Sequence, residues 1–121
     1  NTEYSFGDDV KLLGDYAWYI DNSDGKPHPV GGKKPNPWNL FDMHGNVWEW
    51  CSDWYGENYY AELSKQGVAV NPRGPTRGTY RVVRGGSWGN FNGRSADRSR
   101  SAPGVINYDV GFRVVLFARA P

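Results

Sequence analysis

Asp42 and Glu49 stand on either side of a Gly45-Asn46-Val47 turn in the run Asn39-Leu40-Phe41-Asp42-Met43-His44-Gly45-Asn46-Val47-Trp48-Glu49-Trp50. Two carboxylates, together with the carbonyls that such a turn exposes at Gly45 and Val47, present hard oxygen donors from one short stretch. That set suits calcium better than any transition metal. The same spacing also allows Asp42 to cap a turn and Glu49 to pair with an arginine. His28 and His44 lack a His or Cys partner at ligand spacing, so both read as local structural residues. Ser87 follows two glycines, but it sits in no G-x-S-x-G elbow and neither histidine has an evident path to it. Trp48, Trp50 and Trp54 either offer faces for pyranose rings or pack a core. Cys51 is the only cysteine, which excludes an intrachain disulfide and a zinc site built on cysteine pairs.

The Asn39–Trp50 run is followed by Arg84-Gly85-Gly86-Ser87-Trp88 and by Gly111-Phe112-Arg113. Together the three segments resemble the signature of the formylglycine-generating enzyme (sulfatase-modifying factor) family, and they span most of the chain. The resemblance implies an α+β, C-type-lectin-like fold, loop-rich with short strands and little helix. It also implies a structural calcium ion, held by the side chains of Asp42 and Glu49 and by the carbonyls of Gly45 and Val47. A second calcium site would fall near Asp15 and the Asp21–Asp24 turn, where the match is looser.

Oxidases of that family use two cysteines a few residues beyond the Gly-Gly-Ser segment, and those places are taken here by Asn90 and Ser95. An amide and a hydroxyl cannot replace two thiolates as soft ligands for Cu(I). No copper is therefore expected, and no catalytic residue is assigned. The iron-dependent branch of the family needs a histidine-rich partner domain, which these residues do not supply. The family's domain is also about twice this length, so residues 1–121 correspond to its C-terminal half, read here as a single domain.

Between the second and third motifs lies Gly89 to Gly111, a stretch without clear periodicity, and a loop of that length in a compact domain is usually functional or disordered. It resembles the variable region of diversity-generating retroelement proteins, which share the fold. Adenine-directed mutagenesis of Asn codons does not produce Lys, Glu, Gln, Met or Trp there, and none of the five occurs in this stretch. The resemblance implies a ligand-binding surface of Asn90, Phe91, Asn92, Asp97, Ser99, Ser101, Asn107, Tyr108 and Asp109. Trp88, Arg94, Arg98, Phe112 and Arg113 would anchor it from beneath. Small polar side chains with tyrosine anchors also characterise antibody paratopes.

These residues need elements to hold them. With 16 Gly and 8 Pro, long regular elements are rationed. Six Trp, eight Tyr and five Phe must supply much of the buried area, and the density of rings from Val47 to Tyr55 places the core in the tryptophan cluster. Asp15–Ile20 reads as a short strand or one helical turn. Glu57–Gly67 is a polar surface excursion. Thr79–Arg84 is β-branched enough for a strand stopped by Gly85-Gly86, and Phe112–Phe117 is a second strand.

Charge is divided along the chain. Residues 1–72 carry five Lys and eleven carboxylates, whereas residues 73–121 carry nine Arg and two Asp. Guanidinium forks pairing with the carboxylates and rings of the first half account for this, with an anion site for phosphate or sulfate as the alternative. A net charge of +1 argues against a nucleic-acid partner. No run of eighteen apolar residues suggests a membrane span. One thiol leaves the compartment open.

The expectation is thus a non-catalytic binding domain that takes a protein or glycan ligand, as a homodimer or with a partner fragment completing the domain. The competing readings are a formylglycine-generating type oxidase or its accessory subunit, and a calcium-dependent glycan- or sulfate-binding lectin.

Overall fold

The computed structural model describes residues 2–90 and 93–116. Asp9 accepts a hydrogen bond from the Lys11 amide and so starts a single 3-10 turn, Val10–Leu12. That turn runs into α1 (Leu13–Tyr16) and then β1 (Ala17–Trp18). The Asp15–Ile20 stretch, readable as a strand or as a helical turn, contributes to both in succession. Strand β1 pairs in parallel with β2 (His44–Gly45), placing Ala17 opposite His44 and Trp18 opposite Gly45. Gly45 has φ +73°, and a Cβ there would lie 2.2 Å from the Trp18 carbonyl oxygen. Only glycine lets the two backbones approach this closely.

A second sheet has four strands in the order β5-β4-β3-β6. Its members are β3 (Trp48–Trp54), β4 (Arg81–Arg84), β5 (Arg98–Ser101) and β6 (Val110–Gly111). Strands β3, β4 and β5 are antiparallel neighbours, and β6 joins β3 in parallel. Between β3 and β4 the chain makes α2 (Tyr59–Lys65), which buries no residue and forms most of the expected surface excursion. The adjacent residues Val82 and Val83 on β4 are both buried. Successive strand side chains point to opposite faces, so the sheet is covered on both sides at this point. A second buried cluster, Tyr4, Leu13 and Ala17, packs with Phe6 and Tyr19. Around it Phe6 stacks between Tyr4 and Tyr16 at ring separations of 4.9 and 4.4 Å. The architecture is α+β, loop-rich, with short strands and little helix.

Three expectations are corrected. Residues 112–116 form no strand; pairing stops at Gly111, and Phe112, Val114, Val115 and Leu116 are exposed. Their β-branched composition had no neighbouring strand to meet among the described residues, and strand propensity without a partner does not make a strand. Phe117 lies outside the described residues. Second, Gly89–Gly111 is not one loop, because Arg98–Ser101 is β5 and lies in register with β4. Its Arg-Ser-Arg-Ser sequence has no apolar periodicity by which to recognise it. Third, the tryptophans of β3 are half-buried, while Tyr4, Leu13, Val82 and Val83 are the largest fully buried apolar side chains.

The arginines of the second half do meet the first half. Arg81 lies 3.6 Å over the Trp54 ring and Arg98 lies 4.6 Å over Tyr60. Arg94, Arg98 and Arg113 pair with Glu3, Asp53 and Glu49. Cation–π stacking and ion pairing thus absorb much of the charge division.

Candidate functional site

Four residues between Asn39 and Asn46 have left-handed backbones: Asn39 (φ 62°), Asp42 (φ 55°), Gly45 (φ 73°) and Asn46 (φ 62°). Asn, Asp and Gly are the residues that tolerate this region, so the composition of the segment permits its tight coiling. Asn46 locks the coil to an earlier loop, its side-chain oxygen accepting from the His28 amide at 2.9 Å and its Nδ2 donating to the His28 carbonyl at 3.1 Å. Asp42 is buried. Its Oδ2 accepts from the Gly31 amide at 2.7 Å, while its Oδ1 is buried without a hydrogen-bond partner. A buried carboxylate oxygen left unpaired is costly unless a cation or donor reaches it.

Asp42, Gly45, Val47 and Glu49 all line one cleft of about 460 Å³. Glu49, on β3, gives both oxygens to Arg113, Oε2 to Nε at 2.6 Å and Oε1 to Nη2 at 2.5 Å. The same Nη2 donates to the Phe41 carbonyl at 3.0 Å. The Glu49 hydrogen bond raises the Arg113 pKa further above its ordinary value, so this guanidinium is a fixed charge. The pairing of Glu49 with an arginine, left open by spacing, is therefore realised. No cluster of three or more His, Cys, Asp or Glu suited to a metal occurs among the described residues. An ion at Asp42 and Glu49 must then draw its other donors from carbonyls, which is calcium's habit rather than zinc's. Glu49 is already neutralised by Arg113, so the unpaired Asp42 Oδ1 is the carboxylate oxygen of this cleft that would receive a hard cation.

The other titratable candidates are structural. His44 Nδ1 donates to the Gly93 carbonyl at 2.7 Å, which leaves Nε2 to accept from the Ser5 amide at 3.1 Å and the Ser5 hydroxyl at 2.8 Å. Burial pushes its pKa down, consistent with a neutral ring. His28 stacks on Trp18 at 3.8 Å. Burial pushes the half-buried Cys51 thiol up, away from the thiolate that nucleophilic or metal chemistry requires. Ser87 is buried, and its hydroxyl donates to Asn90 Oδ1 at 2.8 Å.

Residues expected at a ligand surface fall in several environments. Phe91 and Asn92 lie outside the described residues. Asn90 is half-buried and closes the Ser87 turn. Asp97 is half-buried and caps the Arg94 amide at 3.1 Å. Ser99 is half-buried on β5, and Ser101 is buried there, accepting from Asn107 Nδ2 at 3.0 Å. The half-buried Asp109 accepts from the Trp48 amide through its carbonyl at 2.7 Å. Tyr108 alone of the described group is open to solvent, at 88%. Beside it stand two residues that sequence reasoning passed over, Val105 and Ile106, the latter 97% exposed. A pair of β-branched aliphatics in a polar loop was the available signal. Of the expected anchors, Arg98 is well enclosed, with 12% of its side chain exposed against Asp53. Phe112 is no anchor, being 76% exposed, because the strand that would have carried it inward does not form.

Residues 2–118 match the sulfatase-modifying factor enzyme 1-like domain. Over 81 residues the chain is 51% identical to the serine/threonine-protein kinase pkn1 of Chlamydia pneumoniae, covering 65% of this chain and 13% of that one. Over 90 residues it is 42% identical to the formylglycine-generating enzyme of Streptomyces coelicolor, covering 70% of this chain and 27% of the enzyme. Among solved structures it resembles Treponema denticola variable protein 1, with a TM-score of 0.77 and 35% identity over 93% of this chain and 40% of that one. The chain thus spans less than half the length of each of these three proteins.

Proposed function

Since this chain belongs to the sulfatase-modifying factor enzyme 1-like family, we propose that it is a non-catalytic binding module of that family. Calcium at Asp42, Gly45, Val47 and Glu49 stabilises it, and a protein or glycan ligand meets the loop around Val105–Tyr108. The observation that carries this reading is the exposure of Ile106 and Tyr108 on a loop that is itself tied down. The Val105 amide donates to the Ala102 carbonyl at 3.1 Å, and Asn107 holds Ser101. Large apolar side chains held nearly bare on an ordered backbone mark interaction sites. Likeness to a variable protein over nearly the whole chain supports the same reading, including diversification within residues 89–109.

Oxidation of a substrate cysteine is disfavoured by the residues themselves. Asn90 is committed to the Ser87 turn, and the Ser95 carbonyl accepts from Arg84. Neither supplies a thiolate, and Cys51 is a single thiol with a raised pKa. When bound, calcium would neutralise Asp42 and brace the Gly45 turn.

Two measurements test the proposal. Incubation with copper and a cysteine-containing peptide should yield no aldehyde product, and its appearance would overturn the non-catalytic reading. A glycan array and a displayed-peptide panel, each run with and without calcium, should give a ligand that wild type retains and the Ile106→Ser, Tyr108→Ser double variant loses. Retention by the double variant at unchanged strength removes this loop as the ligand surface.

A further inference from the structure

Glu49 and Arg84 face each other across β3 and β4, the relation in which opposite charges ordinarily pair. Here they do not. Glu49 has given both oxygens to Arg113, and Arg84 donates to the Ser95 carbonyl instead. Among the described residues Arg84 has no carboxylate within ion-pair distance, whereas Arg94 has Glu3 at 3.4 Å. Two guanidinium groups therefore stand near one carboxylate, Arg113 takes it, and the charge of Arg84 is left over.

That surplus charge borders a cleft of about 720 Å³ whose apolar walls include Trp38, Met43, Trp50 and Val115. Trp38 is 79% exposed, although an indole of this size ordinarily finds cover. The cleft also follows a strand. Trp50, Cys51 and Ser52 are consecutive on β3 and all line it, because the β3–β4 register shifts between Trp50 and Trp54 and the regular alternation of side chains is broken there. Strand β6 pairs with β3 through Trp48 and Glu49 and goes no further. From Trp50 onward β3 has a strand neighbour only on its β4 side among the described residues. The Ser52 carbonyl is taken by the Arg81 guanidinium, so a strand added at this edge is short.

We propose that this cleft binds a short extended peptide segment in which one carboxylate lies between apolar side chains. The carboxylate sits on Arg84, the apolar side chains rest on Trp38, Met43 and Trp50, and the backbone adds to the β3 edge beyond Glu49. Main-chain pairing at an open edge supplies affinity in such complexes, and side-chain pockets supply specificity. The occupant is a polypeptide rather than a nucleic acid because Arg84 provides a single unpaired cation beside the Glu49 carboxylate, too little for a phosphate backbone. The site is separate from the Val105–Tyr108 loop and does not depend on it.

The test uses the whole chain and a fluorescein-labelled, end-blocked Val-Phe-Glu-Phe-Val peptide, read by anisotropy. Saturable binding is expected, weakened about tenfold by Arg84→Gln and by glutamine in place of the peptide glutamate, with no further loss when both changes are combined. Trp38→Ser, at an exposed position that should leave folding intact, is expected to weaken binding by a similar factor. A peptide N-methylated at alternate amides should bind no better than background if strand addition is correct. The Ile106→Ser, Tyr108→Ser variant should bind the peptide like wild type, which separates failure here from failure of the loop reading. Absence of saturation at about 1 mM overturns the proposal, as does equal binding by the Arg84→Gln and Trp38→Ser variants. Full displacement by 3-phenylpropionate at concentrations equal to the peptide's would replace it with a site for small carboxylates.

Discussion

Between Asn39 and Glu49 the backbone passes four times through the left-handed region, and its polar groups are taken up by Gly31, His28 and Arg113. Between Pro103 and Tyr108 the chain is fastened from Val105 to Ala102 and from Asn107 to Ser101, and it holds Ile106 and Tyr108 in solvent. One stretch spends its side chains on shape, and the other spends shape on displaying side chains. The contrast explains how one chain can hold a tightly specified turn and a tolerant surface: substitutions in the first disturb close backbone contacts, whereas those in the second change only what solvent or a partner meets.

The largest expected effect comes from breaking the rigid side. Gly45→Ala forces a Cβ against the Trp18 carbonyl at a positive φ, and a loss of more than about 4 kcal/mol is expected from overpacking and backbone strain together. Chemical denaturation followed by circular dichroism measures it, and a variant melting near wild type would mean that the β1–β2 contact is not a constraint.

Calcium tests whether the same segment is completed by an ion. At about a hundredfold excess over Kd, binding to the folded state should add about 2.7 kcal/mol and raise Tm, with magnesium at equal concentration doing much less. Glu49→Ala should abolish the response and cost about 2 kcal/mol by itself, since it strands a partly exposed Arg113. A chelator that leaves Tm unchanged, with no metal found by elemental analysis, eliminates the site.

His44 gives a smaller effect with a defined sign. Burial lowers its pKa in the folded state, so the unfolded chain binds the proton more readily. Stability contributed by the neutral ring is present above the ordinary histidine range and declines as pH falls through it toward the lowered value. Tm should drop between about pH 7 and pH 5, and His44→Gln should flatten that part of the profile.

The smallest effects belong to the open side. Phe112→Ala and Tyr108→Ser remove rings that are mostly in water, and each should change stability by no more than about 1 kcal/mol. A large loss from Phe112→Ala, measured by thermal melting, would show that the ring is covered in solution and that the 112–116 segment has a partner.

Legibility in the sequence followed the range of the interaction. The candidate calcium donors could be named because all four lie within eight positions, and the turn that groups them needs only Asn, Asp and Gly where the backbone turns left-handed. Strand β4 could be read from Thr79–Arg84 because valines flanked by a Gly-Gly stop are a local pattern. Strand β5 could not, because Arg-Ser-Arg-Ser becomes a strand only through its ladder to β4. Phe112–Leu116 misled for the opposite reason, having the composition of a strand without an observed neighbour.

Residue type and short spacing thus determined the family, the α+β class and the lack of a second thiol, and they named the candidate hard-oxygen donors, because none of these depends on distant parts of the chain. Only the tertiary structure decided that Glu49 meets Arg113 across 64 positions, that Arg84 is left without a carboxylate among the described residues, and that Ser101 is buried while Ile106 is bare. Those outcomes depend on which strand lies beside which, and the free energy that selects the arrangement is shared over long-range contacts that no local window contains.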